Sequence, residues 1–230
     1  MRCFFLSLTC LSFLAAASAP SLGANVTGKI QYQGTPPKSV SLPMGADAYC
    51  LTQHKEKVMS QEVKVNGNGT LQNVLIYVKS GLSGTNPPAT APVELRQEGC
   101  LYKPHVLGIQ VGQELNVIND DATLHNVHTM STANPQFNIA QPVKGMKMAR
   151  KFDKPEIFFV KCEVHRWMGA YIGVFNHPYF TVTGEDGAFT IKNLPAGNYV
   201  IEAWHEKLGT QSANVSVGAS DTKTVDFTFK

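Results

Sequence analysis

The chain has 230 residues, of which 43% are apolar and 16% charged. These are ordinary globular values, and the length suits one large domain or two small ones. Its 20 basic and 17 acidic residues leave a formal net charge of +3. No basic run dense enough to grip a phosphate backbone occurs, which argues against a nucleic-acid binder.

At the N-terminus Arg2 precedes an apolar run over 4–16 and then small residues. This pattern predicts a secretory signal peptide over about residues 1–24. Ala15-Ala16-Ala17 and Ala17-Ser18-Ala19 both offer cleavage sites; Pro20 disfavours the second, and Gly23-Ala24 is a later option. The run falls short of the roughly 20 residues of a bilayer span. No later segment is apolar enough to cross, so the mature chain is expected to be exported to the periplasm, or alternatively secreted, without spanning a membrane. Removing the signal also removes Cys3 and Cys10 and leaves Cys50, Cys100 and Cys162. An odd count in an oxidising compartment leaves one thiol unpaired or metal-bound. The expected disulfide is Cys50 with Cys100, because Cys162 stands among other ligand types; three inert buried thiols are the alternative.

The remainder reads as β throughout, an all-β protein with short alternating runs and frequent turns. In chain order, strands are predicted at 25–33, 71–79, 113–119, 156–161, 171–175, 179–183, 188–191, 199–204, 211–217 and 222–229. Gly67-Asn68-Gly69, Glu185-Asp186-Gly187 and Pro195-Ala196-Gly197 mark turns. Segments 36–60 and 129–152 read as irregular, and 81–92, rich in Gly, Pro, Ser and Thr, as a linker. No long amphipathic helix stands out. The ends, 25–85 and 179–230, have plain regular alternation. The middle, 92–178, carries Cys100, Cys162, His105, His125, His128 and His165, with His177 at its border.

The ends resemble the carboxypeptidase-regulatory-like, or transthyretin-like, sandwich. Val26-Thr27-Gly28-Lys29-Ile30 and Leu71-Gln72-Asn73-Val74-Leu75-Ile76-Tyr77-Val78 look like its first two strands. Val182-Thr183-Gly184-Glu185-Asp186-Gly187-Ala188-Phe189-Thr190-Ile191 and Leu194-Pro195-Ala196-Gly197-Asn198-Tyr199 look like the next two. The resemblance implies a prealbumin-like β-sandwich with the middle portion inserted between its second and third strands. Such modules are scaffolds or adhesion units and name no chemistry.

The chemistry lies in the stretch after Ile157-Phe158-Phe159-Val160, where Cys162, His165 and Met168 stand three residues apart. A thiolate, an imidazole and a thioether are soft or borderline ligands and together suit copper. A blue-copper site takes one thiolate, two imidazoles and a weak axial methionine, so the loop lacks one imidazole. The segment 113–128 supplies candidates: a strand, the polar turn Asn119-Asp120-Asp121, then His125-Asn126-Val127-His128. This order, with Cys162 37 residues after His125, resembles the cupredoxins. Tyr102-Lys103-Pro104 and Val111-Gly112-Gln113 look like opening strands of that fold, and the short Cys-x-x-His-x-x-Met spacing is most similar to amicyanin-like members.

The resemblance implies a Greek-key β-sandwich holding one copper per chain, with His125 and His165 equatorial, Cys162 the thiolate and Met168 axial. Asn126 would tie its strand to the cysteine loop. His128 is the alternative to His125, but three positions along a strand turn the two to opposite sides. Met168 alternatively is a core residue. His105 and His177 read as structural histidines, His54 and His205 as surface ones. Met146 and Met148 read as a surface loop, with a second Cu(I) contact as the alternative. There is no Cys-x-x-Cys-His, no paired Cys-x-x-Cys, no second loop cysteine for a binuclear centre, no phosphate loop and no G-x-S-x-G elbow. The leading expectation is an electron carrier between redox protein partners, with electrons leaving by a solvent-facing edge of His165 rimmed by Trp167, Met168 and Tyr171. The alternatives are a copper storage, delivery or sensing module, a small copper enzyme with an open position, which Met168 opposes, and a sandwich with a degenerate insert.

Overall fold

A computed structural model describes residues 23–230; the signal-peptide reading lies outside the described residues. Strand β1 (Ala24–Tyr32) is followed by a 3-10 turn at Met44–Ala46, helix α1 (Ala48–Thr52) and β2 (Leu75–Ser80). The middle contributes β3 (Val93–Gln97), β4 (Tyr102–Lys103), β5 (Val106–Gln110), β6 (Leu115–Asn119), β7 (His125–Thr129), β8 (Asn138–Gln141), β9 (Lys147–Arg150), β10 (Glu156–Lys161) and β11 (Gly169–Phe175). The C-terminal part adds β12 (Phe180–Val182), β13 (Ala188–Leu194), β14 (Gly197–His205), β15 (Gly209–Val217), β16 (Thr222–Thr224) and β17 (Phe227–Phe229). Among the described residues no helix is long and apolar enough to cross a membrane.

These strands form four sheets around two cores. In the outer sandwich β1 pairs antiparallel with β13 and parallel with β16 and β17, facing a second sheet ordered β12-β2-β14-β15. Alternation along β1 sends Ala24, Val26 and Ile30 inward, where they meet Ile76, Phe189, Ile201 and Phe229. The inner sandwich sets the sheet β5-β11-β10-β7-β8 against β4-β3-β6-β9. Its core holds Leu95, Ile109, Val117, Phe158, Val160 and Ile172, each worth roughly 1.5–3 kcal/mol on burial. β2 pairs directly with β12 (Tyr77 opposite Phe180), so the chain leaves the outer sandwich and returns at adjacent strands, the arrangement that tolerates an inserted unit. Leu75, Tyr77, Val106 and Phe175 fill the joint between the sandwiches. There Gly108 is required by close approach, since a Cβ at that position would lie 2.4 Å from the Phe180 ring.

Several sequence expectations are corrected. The segment 129–152 contains β8 and β9, both edge strands of their sheets; short, polar edges carry a weak hydrophobic pattern. Met148 is consequently buried on β9 opposite Val117, and only Met146 is exposed. The segment 36–60, grouped with the outer sandwich by its position in the chain, packs on the inner core: Leu42, Met44, Tyr49, Cys50 and Val58 belong to that cluster. Residues 111–113 form a turn closed by the Gln113 amide on the Gln110 carbonyl, with Gly112 at φ +76°. The stretch 222–229 breaks into β16 and β17, both on β1. The disulfide joins Cys50 to Cys100 and leaves Cys162 as the free, buried thiol.

Candidate metal centre

His125 opens β7 directly after a turn that Asn119 organises. The Asn119 side chain accepts the Asp121 amide at 2.9 Å and donates to the carbonyls of Thr123 and Gln141 at 3.0 and 2.8 Å. His125 and Val127 then face inward, whereas His128 turns away and pairs its Nδ1 with Glu163 at 2.6 Å. Cys162 follows β10, and its loop is closed by backbone: the Cys162 amide donates to the Met168 carbonyl and the Met168 amide to the His165 carbonyl. The His165 amide donates to Cys162 Sγ at 3.3 Å. Asn126 Oδ1 accepts the Glu163 amide and sits 3.3 Å from Cys162 Sγ. The Tyr102 hydroxyl donates to the Asn126 and Lys161 carbonyls. Met168 is buried in the same core as Cys162.

Nitrogens of His125 and His165 and the sulfur of Cys162 lie within 4.8 Å of one another. The two Nδ1 atoms are 2.9 Å apart, both rings being buried. The outer nitrogen of each ring meets a carboxylate: His125 Nε2 lies 2.9 Å from Asp121 Oδ2, and His165 Nε2 3.0 Å from Asp47 Oδ2. A ring that donates Nε2–H keeps a bare lone pair on Nδ1. Two such lone pairs facing each other require a proton or a cation between them. Two nitrogens about 2.0 Å from one ion would stand about 3 Å apart, so the donor set fits a metal. Cys50 and Cys100 also approach His165 within 4.8 Å, but their sulfurs are joined to each other.

Electrostatics act in the same sense. Burial raises the Cys162 thiol, yet hydrogen bonds from His125 and from the amides of His165 and Asn126 outweigh it and bring the thiol below its usual range. Burial lowers His125, but Asp121 and Cys162 raise it further. Asp47 is lowered, chiefly by His165 and then by the Cys50 amide. Asp121 is lowered despite burial, by His125 and the amides of Cys100 and Gly99.

The structure revises the expected exit for electrons. His165 is only 2% exposed and Asp47 covers its outer edge, so no solvent-facing imidazole edge is present. Sequence reasoning missed Asp47 and named Asp121 only as part of a polar turn; the 118 residues between Asp47 and His165 left no local signal. His105 is tied to the Gly169 carbonyl and to Glu206, and His177 to the Val78 carbonyl. His54 and His205, read as surface residues, are not: His54 is half-buried on the Gly99 carbonyl, and His205 is buried at the end of β14.

Residues 168–230 match the carboxypeptidase regulatory-like domain; the match begins in the cysteine loop and takes in β11 of the inner sandwich. No curated protein matches the sequence. Among solved structures, a copper-containing nitrite reductase from Thermus scotoductus SA-01 is similar at 24% identity and a TM-score of 0.35, over 43% of this chain and 25% of that one. A purple cupredoxin from Nitrosopumilus maritimus is similar at 20% identity and a TM-score of 0.32, over 36% of this chain and 98% of its own. The Cu(I) form of an amicyanin variant is similar at 19% identity and a TM-score of 0.33, over 44% of this chain and 98% of its own. The described residues are nearly all β; the similarity to the carboxypeptidase regulatory-like domain spans residues 168–230, and cupredoxins stand among the solved structures to which the chain is similar.

Proposed function

We propose that this chain is an exported copper protein that holds one ion on His125, Cys162, His165 and Met168 and passes electrons between redox protein partners. The carrying observation is the convergence of two imidazole nitrogens and one thiol within 4.8 Å, with both outer nitrogens already engaged by carboxylates. When bound, copper supplies a one-electron couple, and its bond to a thiolate gives an intense visible absorption. The protein's part is a buried, hydrogen-bonded pocket that keeps the donors fixed through the redox cycle. The Cys50–Cys100 disulfide accords with an oxidising compartment such as the periplasm. Copper titration of the full mature chain, followed by visible and electron paramagnetic resonance spectra, tests this. One equivalent and an intense thiolate band are expected; a colourless, redox-inert copper form would overturn the electron-carrier reading.

A second reading is copper storage, delivery or sensing. It draws on the covered edge of His165, which favours retention over rapid electron exchange. Stopped-flow reduction by small complexes and copper transfer to a chelator separate the two: a carrier reduces fast and releases slowly, and a delivery module does the reverse.

A further inference from the structure

Resting on the copper reading, we infer that Asp47 and Asp121 are positioning residues for the two imidazoles, and that the Cys50–Cys100 disulfide locks the two carboxylates into one clamp outside the ligand set. Each carboxylate does two things. One oxygen of Asp47 accepts the amides of Tyr49 and Cys50 at 2.7 and 3.1 Å, which caps α1, while the other faces His165 Nε2 at 3.0 Å. Asp121 accepts the amides of Gly99 and Cys100, both at 2.8 Å, while its Oδ2 faces His125 Nε2 at 2.9 Å. The two half-cystines therefore each present their own amide to a carboxylate that holds an imidazole, and their sulfurs close the circuit.

Three further features show that the circuit is built. Gly99 and Cys100 both adopt positive φ, +63° and +56°, a conformation rare for a residue with a side chain; here it accompanies consecutive amides directed at one carboxylate. The Tyr49 hydroxyl, on the Asp47 arm, reaches Asp121 Oδ1 at 3.4 Å. Trp167, two residues from His165, donates its indole N–H to the Cys100 carbonyl at 3.1 Å. Helix α1 has five residues, too few to persist alone; the disulfide and the Asp47–His165 contact add to its packing on the inner core in holding it over the site.

A carboxylate on the outer nitrogen fixes the tautomer and makes the inner nitrogen a stronger donor. That favours Cu(II) over Cu(I), so the clamp sets the reduction potential as well as the affinity. Asp47→Asn is the informative change, because asparagine caps a helix about as well as aspartate, while its single oxygen, kept by the Tyr49 and Cys50 amides, leaves an NH2 group in place of the charged acceptor that faces His165 Nε2. It is expected to weaken Cu(II) about 10- to 100-fold, to weaken Cu(I) less, and so to raise the potential; Asp121→Asn should act in the same direction, and Asp47→Glu should restore part of the loss. Equal weakening of both oxidation states, with an unmoved potential, would mean a merely structural role and overturn the inference.

A readout without copper keeps the test independent. In the metal-free full chain, carbethoxylation of His165 by diethyl pyrocarbonate, mapped by peptide mass, should be slow. It should rise by about tenfold or more in Asp47→Ala and in Cys50→Ser/Cys100→Ser, as expected for loss of a charge-assisted contact. Equal labelling in all three proteins would overturn the clamp. Failure of the wild-type chain to take up copper would instead defeat the copper reading, and the labelling pattern would stand or fall by itself.

Discussion

Asn126 Oδ1 accepts the Glu163 amide at 2.6 Å, reaching from the strand of one imidazole to the loop of the thiol. Its Nδ2 donates to Asn138 Oδ1 at 2.5 Å, which fixes the amide's orientation. The side chain therefore sets the separation of β7 from the Cys162–Met168 loop. Asn126→Ala would leave the Glu163 amide without this acceptor, at about 1–3 kcal/mol. Asn126→Asp keeps an acceptor and should lose less. Guanidinium denaturation of the metal-free variants measures the first effect, and a faster copper off-rate in the alanine variant is expected beside it.

Cys162→Ser separates the fold from the chemistry. The disulfide is made by Cys50 and Cys100, so the fold keeps its covalent link; the loop keeps its amide-to-carbonyl bonds at Cys162 and Met168, and a serine hydroxyl can still accept the His165 amide that now meets Cys162 Sγ. Circular dichroism should be unchanged, while copper-treated protein should show no thiolate charge-transfer band. Retention of the band would exclude Cys162 as the source.

Met168 is tested by Met168→Gln. A thioether favours the softer Cu(I) and an amide oxygen the harder Cu(II), so the potential should fall while the thiolate band persists. Met148 lies on β9 opposite Val117, so Met148→Leu should cost less than about 1.5 kcal/mol and leave the potential unmoved. Protein-film voltammetry of both variants decides; a larger shift from Met148 would refute the axial assignment.

His205 makes the outer sandwich acid-sensitive. Burial, aided by the charge of His105, lowers it from 6.5 to about 4. Its Nδ1 accepts the amides of Lys207 and Leu208, while Nε2 is buried without a partner. Because the folded value lies below the unfolded one, the unfolded chain binds the extra proton between them. Stability is lost as pH falls from about 6.5 to about 4, by up to about 3 kcal/mol. His205→Asn keeps an acceptor for the two amides and removes the titration. Denaturation midpoints of the metal-free protein between pH 7 and pH 4 should fall less steeply in that variant; equal slopes would refute the assignment.

Much of this was legible in the sequence because it is local. Period-two alternation marked β1 and β10, whose inner positions are buried whatever lies opposite. Cys162, His165 and Met168 share one short loop, so their spacing raised the expectation of a common centre, of which the structure brings together Cys162, His165 and His125, and the parity of His125 and His128 along one strand separated their directions. Edge strands β8 and β9 escaped because an edge has one neighbour and buries little. What only tertiary structure decided depends on long closures. Asp47 is brought to His165 across 118 residues by a helix too short to specify its own place, and Asp121 gains meaning only when Gly99 and Cys100 turn their amides toward it. No local pattern encodes such contacts, because each is made by the packing of separate elements, and so the burial of His165 beneath Asp47 replaced the solvent-facing edge that its loop by itself implied.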